Sequence, residues 1–224
     1  MDHSGFFITF EGPEGGGKST QIRHLQASLV EQGYDVLLTR EPGGTAISQS
    51  IRSILLDKSN TVMSPKAETL LFNAARAQLV DEIIHPALAN GKIVLCDRYA
   101  DSTIAYQGYG RGQSIPDLRT LWRFATGGLT PDLTILFDLD PLQGLRRKQD
   151  GDAAEWNRME AEALAFHQRV RQGFSEMAKA EPARWFVVNA AKTIEALQEE
   201  ILAQTLTHIS VAQVAKRSAC SARV

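Results

Sequence analysis

The chain has 224 residues, 43% hydrophobic and 22% charged, a composition typical of a globular protein with one core. Its formal net charge of −2 provides no long-range attraction to nucleic acid or to an anionic membrane, so a bound anion must be held by local residues. It has 2 cysteines, neither at metal-ligand spacing, and no apolar run approaching the roughly 20 residues that span a bilayer, which predicts a cytoplasmic protein with reduced thiols and no membrane partner.

Strand-like and helix-like segments alternate along the chain. Five short apolar runs predict strands buried on both faces, at Phe6–Phe10, Tyr34–Leu38, Ile93–Cys96, Leu133–Phe137 and Trp185–Val188. Helices are predicted at Ser19–Gln32, Ser64–Asn90, Ala153–Ala180 and Thr193–Ile209. The alternation predicts an α/β fold in which a five-stranded parallel sheet carries helices on both faces. We expect one domain over residues 1–210 and a flexible tail over residues 211–224.

Charged residues and glycines follow the predicted strands. The first strand runs into Glu11 and a glycine-rich loop, the second into Glu41, the third into Asp97 and the fourth into Asp138. Carboxyl ends of parallel strands meet at one edge of the sheet, where open α/β sheets bind ligands. The sequence therefore predicts a functional site at this edge.

The glycine-rich loop GPEGGGKS fits the phosphate-loop pattern GxxxxGK[ST] and stands between a predicted strand and a predicted helix. Glycines let backbone N–H groups turn toward a phosphate, and the start of the helix adds its positive dipole end. Lys18 can reach the β- and γ-phosphates, and the Ser19 hydroxyl can ligate Mg²⁺. The predicted nucleotide-binding residues are Gly12, Pro13, Glu14, Gly15, Gly16, Gly17, Lys18, Ser19 and Thr20.

Asp97 ends the third predicted strand, the position from which a Walker B aspartate holds magnesium. We therefore predict a Mg²⁺ site formed by Ser19 and Asp97. The alternative is that Asp97 only caps a turn. The chain lacks the NKxD motif that usually accompanies guanine specificity, so ATP is the expected phosphoryl donor.

A second group of side chains suits a polar ligand with a planar base. Phe72 and Arg76 are four residues apart on a predicted helix and share one face, so a ring can stack on a base while a guanidinium bonds its carbonyl. The segment DRYADSTIAYQG adds Arg98, Ser102, Thr103, Tyr106 and Gln107. The alternative for Phe72 is an ordinary core position.

These motifs together resemble the thymidylate kinase (dTMP kinase) family of the bacterial type. The matching stretches are FEGPEGGGKSTQ, TREPGGT, SILLD, AETLLFNAARAQLV, PALANGKIVLCDRYADSTIAYQGYGRG, PDLTILFDLDPLQGL and RMEAEALAFHQRVRQGF. The combination of TREPGGT, DRY followed by SxxAYQG, and LLFxAARAQ is specific. The resemblance implies a P-loop nucleoside monophosphate kinase fold, phosphoryl transfer from ATP to dTMP in dTTP synthesis, a homodimer and a mobile lid.

The resemblance also implies contacts to the acceptor phosphate and sugar. Arg98 would hold the dTMP phosphate near the transferred γ-phosphoryl group, and Arg52 would be a further phosphate contact unless it is a surface helix charge. Glu14 would accept a hydrogen bond from the acceptor 3′-hydroxyl. Tyr106 would crowd the ribose 2′ position and so favour a deoxynucleotide.

At the base, the resemblance implies that Phe72 stacks on thymine. Arg76 and Gln107 would hydrogen-bond the edge of the base, and Glu41 and Pro42 would line the acceptor pocket.

The family's lid corresponds to residues 144–158, GLRRKQDGDAAEWNR. Arg146, Arg147 and Lys148 are consecutive, so they cannot all face one way on a helix. We predict that Arg147 acts on the transferred phosphoryl group, with Arg158 as a second candidate and a solvated basic patch as the alternative. The lid is slightly longer than usual in the family, which leaves open which arginine acts.

An acceptor phosphate is largely ionised at neutral pH and needs no general base, so catalysis is predicted to rest on Lys18, Mg²⁺, Arg98 and a lid arginine. Two other functions stay open. A deoxynucleoside kinase would use a carboxylate, for which Glu41 is a candidate, to deprotonate a sugar hydroxyl. A P-loop ATPase or switch would hydrolyse ATP and signal to a partner, but it gives no purpose to the acceptor side chains.

Overall fold

A computed structural model describes residues 4–150 and 157–221. Five parallel strands form one sheet in the order β2-β3-β1-β4-β5. They are β1 (Phe6–Glu11), β2 (Val36–Arg40), β3 (Ile93–Asp97), β4 (Leu133–Asp138) and β5 (Trp185–Asn189). Each strand begins and ends within 2 residues of its prediction, and the predicted α/β fold class is confirmed.

Helices connect the strands. They are α1 (Lys18–Glu31), α2 (Ala46–Leu56), α3 (Pro65–Leu79), α4 (His85–Ala89), α5 (Ala100–Thr103), α6 (Ile115–Thr126), α7 (Pro141–Asp150), α8 (Leu164–Ala180) and α9 (Ile194–Ser221). A π-helical turn, Val80–Ile84, joins α3 to α4, and a second, Ile104–Gly110, continues α5. Helix α3 begins as predicted, because the Ser64 hydroxyl accepts the Ala67 N–H at 3.2 Å. No helix among the described residues has the length and apolar character that crossing a membrane requires.

Two helix predictions differ from the structure. The helix predicted from Ala153 begins at Leu164, because a turn over residues 157–160 precedes it; residues 151–156 lie outside the described residues. In that turn the Asn157 N–H donates to Glu160 at 2.9 Å, and the Asn157 side chain accepts the Met159 N–H at 2.9 Å. The last helix continues to Ser221 instead of ending at Ile209, while the division into a domain and a flexible tail stays a prediction.

The sheet carries helices on both faces because its strands alternate their side chains between two cores. On one face Ile8, Phe10 and Ile135 pack with buried residues of α1 and α9. On the other, Phe7 and Val94 pack with buried residues of α3, α4 and the turn between them. Burial on both faces explains the continuous apolar runs of β1, β3 and β4. The prediction of burial on both faces is wrong for β2 and β5, which lie at the edges of the sheet and expose Leu38 and Val187. The loops that follow β1, β2 and β3 therefore meet at one edge.

Candidate active site

A cavity of about 760 Å³ opens where the loops after β1, β2 and β3 meet. Most of the predicted site residues line it, namely Glu14, Gly15, Gly16, Gly17, Lys18, Ser19, Thr20, Glu41, Pro42, Arg52, Phe72, Arg76, Asp97, Arg98, Ser102, Thr103, Tyr106 and Gln107. Gly12, Pro13 and Arg147 are not among its lining residues. The structure thus brings the predicted donor residues and acceptor residues into one space.

The phosphate loop, residues 12–19, makes backbone contact with α7. Gly15 has a φ of 70°, in the left-handed region that favours glycine. A Cβ at Gly15 would strike the carbonyl of Gly144, and a Cβ at Gly144 would strike the carbonyl of Glu14. Two glycines therefore let the loop and the first turns of α7 lie directly against each other.

Lys18 is buried in the loop. Its Nζ donates to the carbonyls of Gly12 at 3.0 Å and Pro13 at 2.8 Å, so these two residues contribute by holding the lysine. Burial lowers the pKa of Lys18 to about 8, Arg98 adds to the effect, and nearby carboxylates oppose it. A phosphate in the loop would favour the charged form of this lysine.

The predicted magnesium pair is in contact. Ser19 Oγ donates to Asp97 Oδ2 at 3.0 Å, so a hydroxyl and a carboxylate converge where the loop meets the end of β3. No group of three His, Cys, Asp or Glu side chains among the described residues could hold a metal unaided. The pair fits Mg²⁺, which in kinase sites commonly takes one or two protein oxygens and completes its shell with phosphate and water.

The turn that carries Arg98 is held by a buried carboxyl group. Arg98 has a φ of 68°, the one left-handed non-glycine backbone among the described residues, which costs about 1–3 kcal/mol and persists because neighbours hold it. Its N–H donates to the Phe10 carbonyl at 3.0 Å, and the Tyr99 N–H donates to Glu11 at 2.8 Å. Glu11 also accepts from the Ser102 N–H at 3.3 Å and hydroxyl at 2.6 Å.

Glu11 was predicted to end a strand and had no predicted role in the site. Burial raises its pKa to about 8, Asp101 adds to the effect, and Arg98 and the bond from Ser102 oppose it. The signal that could have found it is a carboxylate at the last position of a strand buried on both faces, since such a group needs partners.

Glu14 links the donor loop to the acceptor residues. Arg98 Nη2 binds Glu14 Oε1 at 2.5 Å, and the Tyr106 hydroxyl donates to the same oxygen at 3.2 Å. Burial would raise the pKa of Glu14, but Arg98 and Lys18 outweigh burial and lower it to about 2. Oε2 of Glu14 receives no hydrogen bond from the described residues, so an ionised oxygen is left for another donor.

Arg76 is fixed by a network of buried acceptors. Its Nε donates to Glu41 at 2.7 Å and its Nη1 to Asn73 at 3.4 Å, while its Nη2 donates to Thr103 at 2.9 Å and to the Tyr99 carbonyl at 3.2 Å. A guanidinium has five N–H donors, so one donor, on Nη1, is left for a ligand. The predicted bond from Arg76 to a base edge depends on this donor.

Glu41 lies behind Arg76 and is 5% exposed. Burial raises its pKa to about 7, although Arg76 opposes the shift. Glu41 Oε1 has no hydrogen-bond partner among the described residues, and the Glu41–Pro42 peptide bond is cis. An unpaired buried oxygen beside the cavity can accept a hydrogen bond from water or from a ligand.

Arg52 also faces the cavity instead of projecting into solvent. It donates to the Pro42 carbonyl at 2.9 Å, and burial together with Arg40 lowers its pKa. Arg40, which sequence reasoning did not select, lines the cavity too. Two neighbouring cations in a partly buried position favour an anionic ligand.

Gln107 and Phe72 both line the cavity. Gln107 is 1% exposed, and its Nε2 donates to Glu68 Oε1 at 2.8 Å. Glu68 was not among the predicted site residues, since a glutamate in the first turn of a helix normally lies in solvent and complements the helix dipole. Apolar residues on the same helix face as Glu68 could have indicated that the Glu68 side chain is buried.

The basic residues of the predicted lid take different directions. Arg147 Nη1 donates to the Ala190 carbonyl at 3.0 Å, away from the cavity, so its catalytic role stays a prediction. Lys148, its neighbour, lines the cavity. Arg158 donates to Glu68 at 2.5 Å and to the Leu55 carbonyl at 3.0 Å. Among the described residues of the predicted lid, the basic side chain that lines the cavity is therefore Lys148.

Comparison with known proteins agrees with this geometry. A model of the thymidylate kinase family matches residues 10–201. A thymidylate kinase of Roseiflexus castenholzii is 54% identical over 208 residues, 88% of this chain and 91% of that protein. One of Herpetosiphon aurantiacus is 51% identical over 227 residues, 91% of this chain and 96% of that protein.

A solved structure is similar as well. The crystal structure of thymidylate kinase from Ehrlichia chaffeensis matches with a TM-score of 0.67 and 35% identity, over 94% of this chain and 98% of that chain. The resemblance seen in the motifs is thereby confirmed, and this chain belongs to the thymidylate kinase family.

Proposed function

We propose that this protein transfers the γ-phosphoryl group of ATP to dTMP, giving dTDP and ADP. The observation that carries the proposal is the 2.5 Å ion pair between Glu14 of the donor loop and Arg98 of the acceptor set. This pair joins a residue proposed for the donor to one proposed for the acceptor, and both line one cavity of about 760 Å³, which supports the proposal. In-line transfer requires this proximity.

The chain supplies charge and position for the transfer. Lys18, in the phosphate loop, neutralises the donor phosphates, and Arg98 holds the acceptor phosphate beside them. Magnesium, when bound at Ser19 and Asp97, supplies further charge neutralisation on the phosphates. The acceptor phosphate is ionised at neutral pH and attacks without a general base.

The remaining lining residues suit a deoxynucleotide with a pyrimidine base. Phe72 offers a ring for stacking, while Gln107 and the last donor of Arg76 offer hydrogen bonds to the base edge. Glu14 Oε2 is available to the 3′-hydroxyl. The role proposed for Tyr106, whose hydroxyl is bonded to Glu14 at 3.2 Å, is to crowd a 2′-hydroxyl.

A coupled ADP-release assay with a panel of acceptors tests the proposal. We expect dTMP to be phosphorylated, thymidine to be inert and ATP hydrolysis without acceptor to be slow. Activity with thymidine and none with dTMP would favour a deoxynucleoside kinase with Glu41 as base. Rapid hydrolysis without any acceptor would favour an ATPase or switch.

The protein is further proposed to be a homodimer. Helices α2 and α3 pack together, as do α3 and α6, and all three carry exposed apolar side chains. Ile47 and Ile54 are 55% and 48% exposed, Leu70 is 55% and Phe124 is 91% exposed. Sedimentation analysis of Phe124→Asp should show a shift toward monomer, whereas Val211→Asp on α9 should not. A wild-type monomer would contradict the proposal.

A cytoplasmic location stays a prediction.

A further inference from the structure

The carboxamide of Gln107 presents its two ends to different surroundings. Its Nε2 donates to Glu68 Oε1 at 2.8 Å. Its Oε1 receives no hydrogen bond from the described residues, although Gln107 is 1% exposed and lines the cavity. A nearly buried amide oxygen without a donor needs one from the ligand that fills the cavity.

Glu68 is held in place as an ionised group. Its Oε2 binds Arg158 Nη2 at 2.5 Å and Arg111 Nη2 at 3.2 Å, and Arg111 Nε reaches Oε1 at 3.3 Å. Burial alone would raise the pKa of Glu68, but the bonds from Arg111 and Gln107 outweigh burial and lower it. An ionised carboxylate accepts hydrogen bonds and cannot donate them.

Gln107 can therefore satisfy Glu68 only with its NH₂ end. Turning the amide over would set the Gln107 oxygen against a carboxylate oxygen, two acceptors in contact. We propose that Glu68 is a positioning residue for base specificity, which fixes Gln107 with its amide oxygen toward the acceptor base and so selects a pyrimidine that carries a hydrogen on its ring N3. The inference rests on the proposed function, and it gives the reason for a preference of thymine or uracil over cytosine.

The donor left on Arg76 completes the pattern. An acceptor at Gln107 and a donor at Arg76 match the adjacent N–H and C=O groups of a thymine or uracil edge. Cytosine presents the reverse, an unprotonated ring nitrogen beside an amino group. A site built to bond a particular donor rejects an analogue that lacks it, because its own buried group is left unpaired.

The variant Glu68→Gln tests this assignment. In this variant the amide oxygen of the new side chain faces the two arginines on the Oε2 side. The NH₂ group of the new side chain then faces Gln107 and reverses the orientation of the Gln107 amide. We expect the ratio of kcat/KM for dTMP to that for dCMP to fall at least about tenfold, the size of one lost hydrogen bond to a buried group. The matched control is Glu162→Gln, which removes the other carboxylate bound to Arg111, at 2.6 Å, without touching Gln107, and it should keep the wild-type ratio.

Two further variants complete the test. Glu68→Asp keeps an acceptor-only group and should retain most of the discrimination, whereas a purely structural role would lower activity with both nucleotides alike. An unchanged ratio in folded Glu68→Gln overturns the inference. If thermal melts show that Glu68→Gln does not fold, Gln107→Leu decides. A selective loss of dTMP activity of about tenfold supports the inference, and equal losses for both nucleotides overturn it.

If the wild type phosphorylates dTMP but the variants keep the wild-type ratio, the inference fails and the proposed function stands. If the wild type phosphorylates no nucleoside monophosphate, the proposed function itself fails.

Discussion

Arg76 and Arg98 line the same cavity and differ in what they bind. Arg76 is 2% exposed and gives four of its five N–H donors to protein acceptors. Arg98 has 16% of its side chain exposed and makes two such bonds, to Glu14 and Ser102. Arg76 therefore mainly shapes the pocket, whereas Arg98 keeps most of its donors for a ligand.

The largest expected effect comes from removing the arginine with unused donors. Arg98→Ala should lower kcat by about 10³ or more, because charge on the transferred phosphoryl group loses its stabilisation. The free energy of unfolding should fall by only about 1–3 kcal/mol, since Glu14 loses a partner. ADP-release assays and denaturant unfolding measure the two quantities, and near-normal turnover would show that Arg98 is not catalytic.

Removing the arginine with protein partners should act first on stability. Arg76→Ala leaves the Glu41 carboxylate buried without its cation, which should cost about 3–5 kcal/mol in denaturant unfolding. The exposed control Lys179→Ala on α8 should change stability by less than about 0.5 kcal/mol. The double variant Arg76→Met with Glu41→Gln should recover part of the loss, because the buried charge is gone. If Arg76→Ala lost no more unfolding free energy than the control, Arg76 would not stabilise the fold through its protein partners.

Glu14, the ion-pair partner of Arg98, provides the next test of the comparison. Glu14→Gln should lower kcat/KM for dTMP about 10- to 150-fold, the equivalent of about 1.5–3 kcal/mol for a hydrogen bond to a charged group. The 3′-deoxy analogue of dTMP should be affected far less by the same mutation, because it lacks the hydroxyl that Glu14 binds. Equal losses for both acceptors would mean that Glu14 contributes through Arg98 and not through the sugar.

The last effect, spread over several pH units, concerns the turn beneath Arg98. The pKa of Glu11 is about 8 in the folded protein against an ordinary 4.5, so between these values the folded state holds a proton that the unfolded state has lost. Stability from this group is therefore complete below about pH 4.5 and declines as pH rises toward 8, by up to about 1.4 kcal/mol per pH unit. Glu11→Gln should flatten the pH dependence of unfolding over this window. Parallel curves for the two proteins would exclude Glu11 as its source.

Much of the fold could be predicted because strands buried on both faces leave continuous apolar runs. Helices α2, α6 and α7 were not predicted, since their segments mix polar and apolar residues and resemble loops in a single sequence. The start of α8 was placed too early because the turn at residues 157–160 depends on side-chain bonds from Asn157 and Glu160. Such bonds are set by tertiary placement and leave no periodic pattern.

The candidate site was predictable where motif and strand end coincide. Ser19, Asp97 and Arg98 were found in this way. Glu11 and Glu68 were missed, because most carboxylates are exposed and the only sign that these two are buried is the apolar character of their neighbours. Arg147 was chosen among consecutive basic residues, and the side that each faces depends on the orientation of α7 against the loop. Packing decides that orientation, so the sequence could not assign it.

The contact between Gly15 and Gly144 has a mechanical consequence. Hydrogen atoms alone separate the backbone of the phosphate loop from the backbone of α7 at these two positions. Because the two backbones touch here, a change in the curvature of the loop toward α7 would displace the helix. A methyl group added at either glycine would therefore push the start of the predicted lid away from the phosphate loop.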